Sequence, residues 1–174
     1  MKQRGYHAYL PDIRTKYPAS CHIPHIYTED ERRRFLEAID SYPQTPNSFR
    51  NTVDPVLFRF LCGTGCRLSE ALNLRIADFD YQLGAVTVRH AKNNRSRIVP
   101  LCTSLTKRIH SYIDRFHMGC SSDAYLFPGA KRGKMDRSTA YTHFRDYLLM
   151  ADIPHPKDGP RIHDWRHTLA VENL

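Results

Sequence analysis

Several features that define large classes of protein are absent from this sequence. It has no run of about eighteen apolar residues and no basic segment followed by an apolar one at its start, so neither a membrane-spanning helix nor a signal peptide is predicted. Its five cysteines include no C-x-x-C pair, which argues against a disulfide framework and against structural zinc. We therefore expect a soluble cytoplasmic protein with reduced thiols and without a metal or other cofactor.

Acidic residues are also scarce relative to basic ones. Aspartate and glutamate number 18 against 26 lysines and arginines, which gives a formal net charge of +8 and a pI near 9.4. An excess of this size favours a polyanionic partner such as nucleic acid. A basic surface without a function is the alternative at this point.

The length of 174 residues suits one main globular unit. Residues 1–27 contain three prolines and show no hydrophobic period, and we interpret them as an extended arm or linker. Residues 28–174 are predicted to form the folded domain.

Helical signals begin at T-E-D-E, a capping box in which the side chains of Thr28 and Glu31 cap each other's backbone amides. This helix is expected to end near Tyr42-Pro43. A second helix is predicted to start at Asp54-Pro55, since proline is tolerated in a first turn, and to end at the following G-T-G. A short third helix follows the turn that carries Arg67.

The period of the apolar residues then changes from helical to alternating. The alternation predicts three short antiparallel strands, at residues 78–80, 85–88 and 97–101. Helical spacing returns in three later segments, at residues 105–116, at 141–148 and from about 163 onward. The predicted fold class is α+β, mostly helical with a small three-stranded antiparallel sheet.

Three segments combine charged groups with these elements: G-T-G-C-R-L-S-E-A-L-N-L-R, H-A-K-N-N-R-S-R-I-V-P-L and H-D-W-R-H-T-L-A. In this order, and in this secondary-structure context, they resemble the catalytic domain of the tyrosine recombinases, the phage integrase family. The likeness runs from about Ile26 to the end of the chain. It implies a DNA breaking and rejoining domain of a bacterial or phage-encoded enzyme, acting in integration or transposition without a metal.

The resemblance also implies roles for individual residues. Arg67 and Arg166 match the two catalytic arginines, Lys92 the lysine of a β-hairpin and His163 the catalytic histidine. Glu70 matches the acidic residue one helical turn after the first arginine. In this family a tyrosine attacks a DNA phosphodiester and forms a 3′-phosphotyrosine bond, which later reverses onto another strand.

The residue chemistry agrees with these roles. A phosphodiester gathers negative charge on its non-bridging oxygens in the transition state, and guanidinium groups such as those of Arg67 and Arg166 bind such oxygens bidentately while staying charged. His163 titrates near neutral pH and can exchange the proton of the nucleophile. Lys92 could protonate the leaving oxygen, and Glu70 could orient the Arg67 guanidinium.

Double-stranded DNA is the expected partner, and a homo-oligomer is implied, because the full-length family assembles as a tetrameric synapse. We predict that phosphate contacts come from basic side chains on the hairpin and the long loop, namely Arg89, Arg95, Lys131, Arg132 and Lys134. His167 follows the second arginine and is interpreted as a supporting structural residue.

The family pattern continues past the second arginine to the nucleophilic tyrosine. None of the ten tyrosines follows Tyr147, so we expect a site that holds phosphate without its nucleophile, together with exposed apolar surface that promotes self-association. Three alternatives stay open: a non-catalytic DNA-binding fragment that occupies recombination sites, a type IB topoisomerase-like enzyme, and a basic helical protein whose charged residues do not converge. In the last case Arg166 would simply pair with Asp164 or Glu172.

Overall fold

The computed structural model describes residues 23–46, 48–89, 96–156 and 159–172, and within them the chain forms six α-helices and one three-stranded sheet. The helices are α1 (Glu29–Asp40), α2 (Arg50–Thr64), α3 (Leu68–Ala71), α4 (Thr103–Phe116), α5 (Arg137–Met150) and α6 (Asp164–Glu172). The strands are β1 (Phe79–Asp80), β2 (Ala85–Val88) and β3 (Arg97–Pro100). The predicted α+β class, mostly helical with a small antiparallel sheet, is confirmed.

Helix α1 begins where the sequence predicts. The Thr28 hydroxyl accepts a hydrogen bond from the Glu31 amide at 3.2 Å, and the Glu31 carboxylate accepts one from the Thr28 amide at 2.8 Å, which completes the capping box. Phe35 and Ile39 are buried on its apolar stripe, and the helix contacts α2 and α5. The local cap and the apolar period together fix this element.

The predicted start of α2 is wrong by four residues. The helix begins at Arg50, so Pro55 lies inside it and leaves one backbone carbonyl without its usual amide partner. Asp54 is fully buried and accepts a hydrogen bond from the Tyr147 hydroxyl at 2.7 Å, while Arg50 donates to the same hydroxyl at 2.9 Å. Asp-Pro resembles a helix start locally, but these contacts with α5 hold an earlier turn in helical form.

Aromatic rings join the helices into one core. The ring of Phe35 on α1 packs against three other rings. The distances between ring centroids are 5.7 Å to Phe58 on α2, 5.6 Å to Phe144 on α5 and 5.2 Å to Trp165 on α6. All four side chains are buried. Helix α2 contacts α1, α3, α4 and α6, so it is the central element that brings the other helices together.

Tyr27 belongs to this core although the sequence analysis placed it at the end of an arm. Its ring stacks on Trp165 with a centroid distance of 3.8 Å and an interplanar angle of 3°, and its amide donates to the Thr168 hydroxyl at 3.0 Å. Residues 23–28 form neither helix nor strand, and residues 1–22 lie outside the described part of the chain. The packed domain therefore includes the Tyr27 side chain.

The sheet has the predicted antiparallel order β1-β2-β3. Val86 pairs with Val99 and Val88 pairs with Arg97, so β2 lies between the other two strands. Val86 and Val88 are buried against the helices. Residues 90–95 between β2 and β3 lie outside the described part of the chain, and the three predicted strands are confirmed.

Candidate phosphate-binding site

Arg67 is presented by a tight turn between α2 and α3. Gly65 ends α2 with φ of 60°, a left-handed conformation that favours glycine. Arg67 then caps α3 with an extended backbone, and its amide donates to the Glu70 carboxylate at 3.0 Å. In the first motif, Gly65 therefore ends one helix, and Arg67 and Glu70 cap the start of the next.

The Glu70 carboxylate lies between two guanidinium groups. Arg67 donates to Oε1 at 3.1 Å through Nη1, while Arg97 donates to Oε1 at 3.0 Å and to Oε2 at 2.7 Å. The hydrogen bonds from Arg97 are the largest cause that lowers the Glu70 pKa to about 2, so this carboxylate is ionised at cellular pH. The predicted contact between Glu70 and Arg67 is present, whereas Arg97 was predicted only as a strand residue.

His163 immediately precedes α6 and is exposed to solvent. Its ring packs edge-to-face against the ring of His167, with a centroid distance of 5.3 Å. Desolvation of part of the ring, the neighbouring His167 and the positive charges of Arg166 and Arg67 lower the His163 pKa, and the carboxylate of Asp164 opposes them only in part. The imidazole is therefore neutral at pH 7, which leaves one ring nitrogen able to accept a proton.

Arg166 lies on the first turn of α6 and reaches back to the end of α2. Its Nη1 donates to the Gly65 carbonyl at 3.0 Å, two residues before Arg67. A Cβ atom at Gly65 would lie 3.5 Å from the Arg166 Cγ, so the two elements are in close contact there. Of the two partners that the alternative offered for Arg166, Glu172 forms an ion pair with Arg32 at 2.9 Å.

Arg67 and His163 line one cleft of about 270 Å³. Arg166 is beside this cleft rather than among its lining residues, yet its charge acts on His163. Arg137 and Tyr141, from the start of α5, complete the wall with Leu68, Ser69 and Ile162. Sequence patterns assigned Tyr141 to an apolar helix face and gave no reason to place α5 beside the first motif.

The other predicted phosphate contacts that belong to the described residues are exposed on the surface. Lys92 and Arg95 fall in residues 90–95, outside the described part of the chain. Arg89 is exposed, but its Nε donates to the buried carboxylate of Asp78 at 2.5 Å. Lys131 and Lys134 are exposed on the long loop.

Arg132 has a structural partner of its own. Its guanidinium lies over the Phe116 ring at 4.6 Å and donates to the Phe116 carbonyl at 3.1 Å, at the end of α4. A contact with DNA would have to use the part of the guanidinium that faces away from that ring. Its DNA-binding role stays a prediction, as do those of Arg89, Lys131 and Lys134.

The described residues contain no group of three or more histidine, cysteine, aspartate or glutamate side chains placed to hold a metal ion. In the same part of the chain, no helix has the length and apolar character needed to cross a membrane.

Comparison with known proteins gives one consistent family. The phage integrase family matches residues 26–172. A putative integrase/recombinase, y4rB of Sinorhizobium fredii, is 31% identical over 180 residues, which cover 94% of this chain and 57% of that protein. Tyrosine recombinase XerA of Pyrococcus furiosus is 30% identical over 155 residues, or 87% of this chain and 49% of that protein. The chain thus spans about half the length of these relatives.

Solved structures agree with the sequence relatives. The crystal structure of XerA recombinase matches with a TM-score of 0.72 and 30% identity, and covers 91% of this chain and 52% of that one. A structure of XerH bound to its difH substrate before cleavage matches with a TM-score of 0.69 over 87% of this chain and 43% of that one, and at 23% identity it supports the fold alone. The family match over most of the domain, joined to the likeness to XerA in both sequence and fold, shows that this chain belongs to the phage integrase family of tyrosine recombinases.

Proposed function

We propose that the cleft between α3, α5 and α6 binds the scissile phosphate of duplex DNA in a site-specific recombination reaction. The observation that carries this proposal is that Arg67 and His163, which are nearly a hundred residues apart in sequence, line one cleft with Arg166 beside it. These are the side chains that the family resemblance assigns to phosphate chemistry. The alternative of a basic protein without a site predicts that these side chains do not come together.

The charges of the cleft suit a phosphodiester. The two guanidinium groups keep their charge at any cellular pH, and each can donate to a non-bridging oxygen as negative charge develops there. Because Arg67 and Arg166 are already held by Glu70 and by the Gly65 carbonyl, little reorganisation is needed when phosphate binds. Neutral His163 is suited to take the proton of an attacking hydroxyl.

The attacking group in this proposal is a tyrosine, and the product is a 3′-phosphotyrosine bond with a free 5′-hydroxyl. Tyr141 is a tyrosine of the cleft wall, whereas the family places the nucleophile after the second arginine. We therefore assign Tyr141 a contact role. The protein would act on DNA in the cytoplasm, as a homo-oligomer on its recombination site.

The likeness to XerH, at 25% identity to a solved complex with difH substrate after cleavage, supports DNA as the partner. Duplex binding measured by fluorescence anisotropy tests the proposal. Arg67→Ala and Arg166→Ala are each expected to weaken binding about 10-fold or more, which corresponds to about 1.5 kcal/mol for a charge-assisted contact. Each should also lower the slope of log affinity against log salt by about one.

Arg115→Ala is the matched control, since Arg115 is an exposed cation that lines a different groove, between α2 and α4. It removes the same charge at a distance from the cleft. Equal losses for all three variants would show that only total charge matters and would contradict the proposed site.

A nicked suicide duplex tests the chemistry. Should the chain form a covalent DNA adduct that Tyr141→Phe abolishes, the contact role of Tyr141 would be wrong. An adduct that persists in Tyr141→Phe but is lost in Arg67→Ala would support the proposed use of the cleft. Binding without any adduct, even when a tyrosine-bearing C-terminal segment of the family is supplied, would favour a non-catalytic DNA-binding protein.

A further inference from the structure

Arg97 is a charged residue of β3 whose role the family chemistry leaves unassigned. Both of its terminal nitrogens donate to Glu70, at 3.0 and 2.7 Å, in a bidentate pair. The Glu70 side chain is only 8% exposed, whereas that of Arg97 is 36% exposed. The carboxylate is thus fixed from the sheet side by a planar fork that a flexible ammonium could not reproduce.

Glu70 accepts four hydrogen bonds, two from Arg67 and two from Arg97. Oε1 accepts from the guanidinium groups of Arg67 and Arg97, at 3.1 and 3.0 Å, and Oε2 accepts from the Arg67 amide and from Arg97, at 3.0 and 2.7 Å. A carboxylate offers about four lone-pair positions, so these bonds fill them. Arg97 therefore occupies the positions through which Glu70 could bind the Arg67 guanidinium bidentately.

The consequence concerns the charge that is left for phosphate. If Glu70 paired with one arginine alone, its negative charge would neutralise that arginine. A bidentate pair would also engage both terminal nitrogens of the guanidinium. With two arginines on one carboxylate, a net positive charge remains, and among the described residues only Nη1 of the Arg67 guanidinium is held. The Arg67 side chain is 40% exposed, so the rest of its guanidinium can face the cleft.

We propose that Arg97 is a positioning residue of the phosphate site: by holding Glu70 bidentately, it limits Glu70 to a single guanidinium contact with Arg67 and leaves that guanidinium available to DNA. This inference rests on the proposed function of the cleft. It assigns Arg97 no contact with the DNA itself. The same pair also joins β3 to α3, so the sheet and the arginine-bearing turn are held in one arrangement.

A double-mutant cycle on duplex binding tests this proposal, with affinities measured by anisotropy at constant salt. Arg97→Gln is expected to weaken binding about fivefold or more in the wild-type background, because Glu70 can then capture Arg67. In the Glu70→Gln background the same change is expected to alter binding less than about twofold, since no carboxylate remains to be held.

Arg97→Lys keeps the charge but not the fork. It is expected to bind DNA within about twofold of Arg97→Gln, because an ammonium cannot hold both carboxylate oxygens in the same geometry. Arg115→Gln serves as the control for loss of one distant positive charge and should change affinity by less than about twofold. Thermal unfolding of each variant, recorded beside the binding curves, identifies losses that come from unfolded protein.

Two results would overturn the proposal. The first is an equal loss from Arg97→Gln with and without the Glu70 carboxylate, which would mean that Arg97 contacts DNA directly or acts by charge alone. The second is wild-type affinity in Arg97→Lys. Failure of the proposed function is a separate outcome, in which Arg67→Ala itself leaves duplex affinity unchanged.

Discussion

Replacing Gly65 by alanine tests how the turn before Arg67 and the first turn of α6 are held together. Gly65 has φ of 60°, where an L side chain costs about 1–2 kcal/mol. A Cβ there would also lie 3.2 Å from the Leu169 Cδ2 and 3.5 Å from the Arg166 Cγ, so the Leu169 side chain on α6 must give by a few tenths of an ångström. Overpacking of this kind adds about 1 kcal/mol or more.

Gly119 provides a matched control for the backbone cost. Its φ is 75°, and a Cβ built there meets no atom within 4 Å. Gly119→Ala should therefore lose about 1–2 kcal/mol of unfolding free energy in urea titrations, and Gly65→Ala about 2–3 kcal/mol. Duplex affinity should fall about fivefold in Gly65→Ala, the equivalent of about 1 kcal/mol, and remain unchanged in Gly119→Ala.

The comparison of the two glycine variants can refute the reasoning. Equal losses of stability would show that contact with α6 adds nothing to the backbone strain at Gly65. Unchanged DNA binding in folded Gly65→Ala would show that the position of Arg166 is insensitive to the end of α2.

Three further predictions concern stability. Tyr27→Ala should lower the unfolding free energy measured in urea by about 3–5 kcal/mol, because the Tyr27 ring stacks on buried Trp165. Tyr27→Phe keeps the ring and should stay within about 1 kcal/mol of wild type. Equal effects of the two variants would contradict the stacking argument. Asp54→Ala should lose about 3–5 kcal/mol, since it removes one partner of a buried charged network that includes Tyr147, and a change under 1 kcal/mol would contradict this. The pKa of Glu70 is lowered to about 2 in the folded protein, so the ionised carboxylate contributes stability that is present above its unfolded pKa and lost as pH falls through about 2. Glu70→Gln should therefore reduce the difference in unfolding free energy between pH 7 and pH 3. An unchanged difference would contradict the low pKa.

The parts of the fold that local sequence determines were predictable. The capping box at Thr28, the apolar stripe of α1 and the alternation in β2 each depend on residues within a few positions of one another. The positions of Arg67, Glu70, His163 and Arg166 were available from the sequence because the family motifs are short and contiguous. Their elements are confirmed, and their chemical roles remain proposals.

The errors come from contacts between residues that are distant in sequence. The start of α2 was placed at Asp54-Pro55 because the pair matches a helix start, whereas Arg50 and Asp54 are held by residues of α5 more than ninety positions away. Tyr27 lies 141 positions from the Thr168 hydroxyl that accepts its amide hydrogen bond. No periodic pattern encodes such pairs.

The same reason explains the residues of the site that were missed. Arg97 lies in a strand that was predicted from alternating apolar residues. That pattern gives no information about its partner Glu70, which is 27 positions away. Arg137 and Tyr141 reach the cleft because the start of α5 lines it together with residues of α3 in the folded chain. A buried ionised partner such as Glu70 becomes evident only when the carboxylate and both arginines are seen together.

Titration with inorganic phosphate, followed by NMR at constant ionic strength, tests whether Arg67, His163 and Arg166 bind one phosphate. The side-chain nitrogens of Arg67 and Arg166 and the ring of His163 report on the three groups that we place around one phosphate. We expect all three signals to shift along a single binding curve with one dissociation constant, and Arg67→Ala to remove the responses of the other two. Separate binding curves, or a response of Arg166 that is unchanged in Arg67→Ala, would show that these side chains do not share one site.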